Sequence, residues 1–153
     1  MALNPQDVDE MHETTKKLLE LWMRTKLVFL KAFSGEPITQ EHENAYLQLK
    51  SEISRLYRVI SDKLTPGLMF DGDKMLEMLK NAVTMEHLQR QSPAERSNLI
   101  SAWHRIYIRM TRTLGALEVM QSGYYPHLHR ALLTGKGAGK GKGRWGRSAK
   151  KAA

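Results

Sequence analysis

Seven cations stand among glycines near the C-terminus: Lys136, Lys140, Lys142, Arg144, Arg147, Lys150 and Lys151, with Trp145 next to Arg144 and no acidic residue from 135 to 153. That combination suits polyanion binding. Glycine lets a backbone follow a phosphate chain, Lys and Arg displace its condensed counterions, and an indole stacks on an unpaired base or settles at a lipid headgroup. With Trp145 as its one large apolar residue, the stretch cannot bury enough apolar area to offset its ordering entropy, so it reads as disordered when free. As a flexible coil it would span about 24 Å, enough to reach over one face of a small domain. The glycines do not make a phosphate loop, because no Gly-x-x-x-x-Gly-Lys-Ser/Thr spacing occurs, no strand precedes them and no helix is signalled after them.

A second group of cations, Arg105, Arg109 and Arg112, recurs at i, i+4 and i+7 and falls opposite Trp103 and Met110 on a helix. Arginine forks match phosphate oxygens, so this stripe can track a strand beside the tail. Solvated arginines on an outer face are equally ordinary, which gives the stripe a supporting role. The six histidines do not build a metal site: no glutamate stands three residues before any of them, as paired-metal carboxylate bundles require, and His127-Leu128-His129 would share a side only if extended. No Gly-x-Ser-x-Gly elbow or strand scaffold is present for nucleophilic catalysis. The expectation is a non-enzyme with no metal, no cofactor and no small-molecule substrate.

Methionine is the third signal. Met75, Met78, Ala82 and Met85 form one ridge of a helix and Leu76, Leu79 and Val83 its neighbour. If the leucine ridge faces the core, the flexible, polarizable methionines are free to hold a partner helix, whereas core filling is their commoner use. Helix one is also apolar around much of its C-terminal half, including Leu27, Val28, Phe29, Leu30 and Phe33, which is more than one seam needs. Met75, Met78, Met85, Phe29 and Phe33 are therefore the candidate protein interface, for a second copy or a partner, unless a short last helix covers the excess.

The elements that must position these groups are marked by helix punctuation. Asn4-Pro5 starts a helix that runs to Ser34-Gly35, and Thr39 opens a second that ends at Thr65-Pro66-Gly67. Asp71-Gly72-Asp73 caps a third reaching about Arg90. Ser92-Pro93-Ala94-Glu95 is a capping-box pattern that opens a fourth, stopped by Gly123, and a short helix over 126–133 follows. No segment alternates like a strand, so the fold class is all-α: an antiparallel four-helix bundle with a short extra C-terminal helix and a disordered basic tail.

Length and composition set the frame. At 153 residues, 41% hydrophobic and 26% charged, the chain fits one folded unit, read as residues 1–134, plus a tail over 135–153. The tail's seven cations leave 17 basic residues against all 16 acidic ones in residues 1–134, so a near-neutral body carries an appendage holding most of the formal +8. The absence of cysteine rules out a disulfide framework, a thiol nucleophile and a zinc–thiolate site, and with a polar, acidic N-terminus and no long apolar run the reading is a cytoplasmic protein. Two functions remain. The first is nucleic-acid binding, DNA or RNA, largely without sequence readout, through the tail aided by the α-helical arginines. The second is a scaffold or adaptor, possible as an oligomer, whose tail tethers it to an anionic protein or membrane surface.

Overall fold

The computed structural model describes residues 4–123. The short helix expected at 126–133 and the whole tail lie outside them. Five α-helices follow one another: α1 (Pro5–Phe33), α2 (Gln40–Ile60), α3 (Gly72–Asn81), α4 (Met85–Gln89) and α5 (Pro93–Ser122), with a 3-10 turn at Pro66–Leu68 between α2 and α3. Among the described residues no strand occurs and no helix is long and apolar enough to cross a membrane.

Each long helix is fixed by its own ends. Asn4 Oδ1 accepts the Asp7 N–H at 2.8 Å with Pro5 in the first turn, where a missing N–H costs nothing. Thr39 and His42 form a reciprocal box, the threonine hydroxyl accepting the His42 N–H and the imidazole Nδ1 accepting the Thr39 N–H. Ser92 and Glu95 do the same for α5, as their spacing foretells. Gly123 closes α5 at a φ of +63°, a left-handed position that favours glycine.

The longest contact is between α1 and α5, which run antiparallel: Asp9 bonds to Gln121, His12 to Glu118, and the Phe33 carbonyl to Arg96. At the middle of this pair Trp22 and Trp103 clasp each other. Each indole N–H donates to the other's backbone carbonyl, at 3.1 and 2.8 Å, and the rings stack with centroids 6.2 Å apart. Two large apolar groups are thereby buried with both of their polar atoms satisfied. Helix α2 packs on α1 and is tied at its far end by Lys63, which reaches Glu10 at 2.7 Å and Asp7 at 3.6 Å. Helices α3 and α4 lie against α2, α1 and α5. At the entry to α3, Gly72 sits flush on the Tyr57 ring, and a side chain there would overlap it.

The third helix is not continuous to Arg90. It stops at Asn81, and α4 starts afresh at Met85 with Thr84 as its N-cap. The cause lies in α2, whose side chains capture the backbone groups the break sets free. Tyr46 donates its hydroxyl to the Ala82 carbonyl at 2.7 Å, Lys50 Nζ donates to the carbonyls of Ala82 and Val83, and Glu43 accepts the Met85 N–H. Helix α2 likewise ends earlier than its apolar periodicity implies, at Ile60, and Leu64 packs on the core from the loop.

This joint has a pH consequence. Burial, with the Glu43 carboxylate second, pushes the Tyr46 phenol well above its ordinary value of 10.0. The folded state therefore keeps a proton that the unfolded chain releases above pH 10. Its contribution is fully present below pH 10 and is lost as pH rises further, by about 1.4 kcal/mol per pH unit. Urea unfolding at pH 9 and pH 11 should show a larger loss for the unaltered protein than for Tyr46→Phe. Equal losses would contradict the assignment.

Candidate polyanion-binding surface

The structure brings Arg105, Arg109 and Arg112 together on the exposed side of α5. They are not equivalent. Arg109 Nη1 is ion-paired with the Asp71 carboxylate, and Lys74 Nζ lies 4.0 Å from the same carboxylate. Asp71 holds a left-handed backbone, φ 58°, which aspartate tolerates better than most residues, and it precedes α3 without capping it through its side chain. Arg109 thus holds this turn, while Arg105 and Arg112 have no ion pair among the described residues. Arg105 and Arg109 line a groove of about 470 Å³ between α3 and α5, with Met78, Leu99 and Ile106 as apolar wall and Asp71 and Glu77 as acidic rim. Its mixed charge makes it a weak attractor of phosphate.

A second groove, about 550 Å³, lies between α2 and α3 and has a different character. Lys50, Arg55, Arg58 and Lys80 line it together with the hydroxyls of Ser51 and Ser54, over a floor of Leu76 and Leu79, and no carboxylate is in its wall. The half-buried Lys50 is committed to the end of α3. Burial lowers its pKa from the ordinary 10.5, opposed by the nearby Glu43, and its ammonium also rests 4.8 Å from the Tyr46 ring centroid. Arg55 is paired with Glu52 on the same helix, which holds the Glu52 carboxyl below and the Arg55 guanidinium above their ordinary pKa values. Arg58 and Lys80 are exposed and have no ion pair among the described residues. Sequence reasoning missed this site. A signal existed in Ser51, Ser54, Arg55 and Arg58 at i, i+3, i+4 and i+7, but the partner cation is on another helix.

The methionine surface is corrected. Met75, Met78 and Met85 are buried with Ala82 in the core, as is Leu79 of the neighbouring ridge, while Leu76 is half-buried against the core and Val83 alone of that ridge is exposed, because the break after Asn81 lets the two short helices pack their methionine side against α1, α2 and α5. Phe29 is fully buried, and Phe33 is half-buried with the Arg96 guanidinium 5.0 Å from its ring centroid. None of the five is a free interface. The exposed apolar groups of α1 are instead Met23 at 50%, Leu27 at 66% and Leu30 at 47%, spaced i, i+4 and i+7. The ring of Trp103 stacks on Tyr107, with Lys26 4.8 Å from its centroid.

The tail residues Lys136, Lys140, Lys142, Arg144, Trp145, Arg147, Lys150 and Lys151 lie outside the described residues. Residues 4–123 carry 16 basic and 16 acidic side chains, so whatever attraction the body has for a polyanion comes from where its charges sit and not from their sum. Among the described residues no cluster of three or more His, Cys, Asp or Glu is placed to hold a metal. Compared with protein-family models, with curated proteins and with solved structures, the chain matches none, and the reading of its surface rests on its own residues.

Proposed function

We propose that this is a non-enzymatic, cytoplasmic nucleic-acid-binding protein: an antiparallel helical bundle over residues 1–134 that presents a basic tail, disordered until bound, to the phosphates of DNA or RNA without reading their sequence. The observation that carries it is the charge segregation. All 16 acidic residues of the chain lie in residues 4–123, where they are matched one for one, and the seven cations of 135–153 have no acidic neighbour in sequence. Arg105 and Arg112 add exposed donors on α5, and Arg109 serves chiefly to hold Asp71. An anisotropy titration of the full chain and of residues 1–134 against labelled DNA and RNA tests this reading. Binding that depends on the tail supports it; a truncated protein that keeps the full affinity overturns it.

A scaffold or adaptor role is the second reading, and the Met23, Leu27 and Leu30 stripe favours it. Three half-exposed apolar side chains on one helix face suit a partner helix or a second copy of the chain. In that case light scattering finds a stable oligomer or complex that Leu27→Glu dissolves, and a monodisperse monomer with no partner counts against it.

A further inference from the structure

We infer that the groove between α2 and α3 is a second phosphate site, carried by the body, that takes consecutive phosphates of the nucleic-acid strand held by the tail. The inference rests on the nucleic-acid reading above and adds to it a place on the fold. Four cations and two serine hydroxyls line the groove, and the lining holds no carboxylate. In a body whose charges balance, a wall of one sign is a local excess, and a concave, low-dielectric surface concentrates its field.

The cations divide the work. Lys50 neutralises the carbonyl end of α3 through its bonds to Ala82 and Val83, which removes the partial negative charge that would otherwise face an anion there. Arg58 and Lys80 stand uncommitted on opposite walls, and Arg55 can exchange its exposed partner Glu52 for a phosphate at little cost, since surface pairs contribute little. From Lys50 to Arg58 the groove follows α2 for about 12 Å, at 1.5 Å per residue. One strand of a duplex advances about 3.4 Å along the helix axis per phosphate, so a groove of this length is the size of a few phosphates. The Ser51 hydroxyl offers a neutral donor of the kind that fixes a backbone without reading bases, whereas the Ser54 hydroxyl already donates to the Lys50 carbonyl at 2.9 Å. The tail and the groove are both cationic, and both attract the same polyanion.

The test uses the full chain. Arg58→Gln with Lys80→Gln removes the two uncommitted cations, and Lys16→Gln with Lys31→Gln, on the exposed side of α1, removes the same net charge elsewhere. Circular dichroism checks that both variants are folded. Against a duplex DNA the groove variant should lose about 1.8 from the slope of log K against log salt, and on the order of 50-fold in affinity at about 0.1 M salt, with a much smaller loss in the α1 variant. If the unaltered chain binds and the two variants fall equally, or neither falls, the groove is not a phosphate site. If the unaltered chain binds no DNA or RNA, the nucleic-acid reading itself fails.

Discussion

Between about 50 and 200 mM salt the seven tail cations are expected to account for a loss of roughly 10³- to 10⁴-fold in the full chain's affinity for duplex DNA, and residues 1–134 are expected to lose far less. The magnitude follows from counterion release. Each cation that neutralises a duplex phosphate contributes about 0.9 to the slope of log K against log salt, so seven contribute about 6. The tail supplies seven, whereas residues 4–123 supply no net charge, with 16 of each sign. What slope survives truncation reports the body, chiefly Arg58, Lys80, Arg105 and Arg112. A slope near 6 that persists without the tail would mean that the folded part, despite its balanced charge, makes the contacts.

Trp22→Ala is expected to be the most damaging single substitution in the core, lowering stability by about 3–5 kcal/mol. Trp22 is fully buried, stacks on Trp103 and exchanges N–H to carbonyl bonds with it across the α1–α5 interface. Truncation leaves a cavity at the centre of the longest helix pair and removes one bond of the clasp. Trp22→Phe keeps most of the buried ring and should cost less. Set against a total stability of about 5–15 kcal/mol for a domain, the alanine variant stands close to unfolding. Urea midpoints measure this, and a loss below about 1 kcal/mol would show that the clasp does not hold the pair together. Because both indoles point inward, any variant that remains folded should keep the salt slope of the unaltered protein.

Much of the helical architecture is legible in the sequence because helix ends are chemical signals. Asn4-Pro5, Ser92-Pro93 with Glu95, and Gly123 act through local hydrogen bonds and backbone preference, and the structure uses each of them. The interruption at Ala82 to Thr84 is not legible in that way. The apolar period runs straight through it, and what stabilises it is Tyr46, Lys50 and Glu43, all from a helix more than thirty residues earlier. Periodicity also separates the methionine ridge from the leucine ridge without saying which is inside, and packing against the other helices buries Met75, Met78 and Met85 together with Leu79 of the second ridge.

The surface was legible only where its charges are close in sequence. Arg105, Arg109 and Arg112 follow from helical spacing, but the pairing of Arg109 with Asp71 depends on the turn before α3 lying beside α5. The α2–α3 groove joins Arg58 to Lys80 across a loop and a 3-10 turn, so neither helix alone announces it. The apolar excess of α1 read from the sequence includes Leu27 and Leu30, which the structure exposes together with Met23, but the choice of Phe29 and Phe33 from that excess fails, since Phe29 is fully buried and Phe33 half-buried.

The central claim is that charge in residues 135–153 brings a polyanion to the body, and one comparison isolates charge from chain length. The full chain and a version with Lys136, Lys140, Lys142, Arg144, Arg147, Lys150 and Lys151 all replaced by glutamine are titrated by fluorescence anisotropy against single-stranded DNA, duplex DNA and RNA at two salt concentrations. The account predicts salt-sensitive binding by the full chain to all three and its near loss in the glutamine version. Equal binding by both, or none by either, contradicts it.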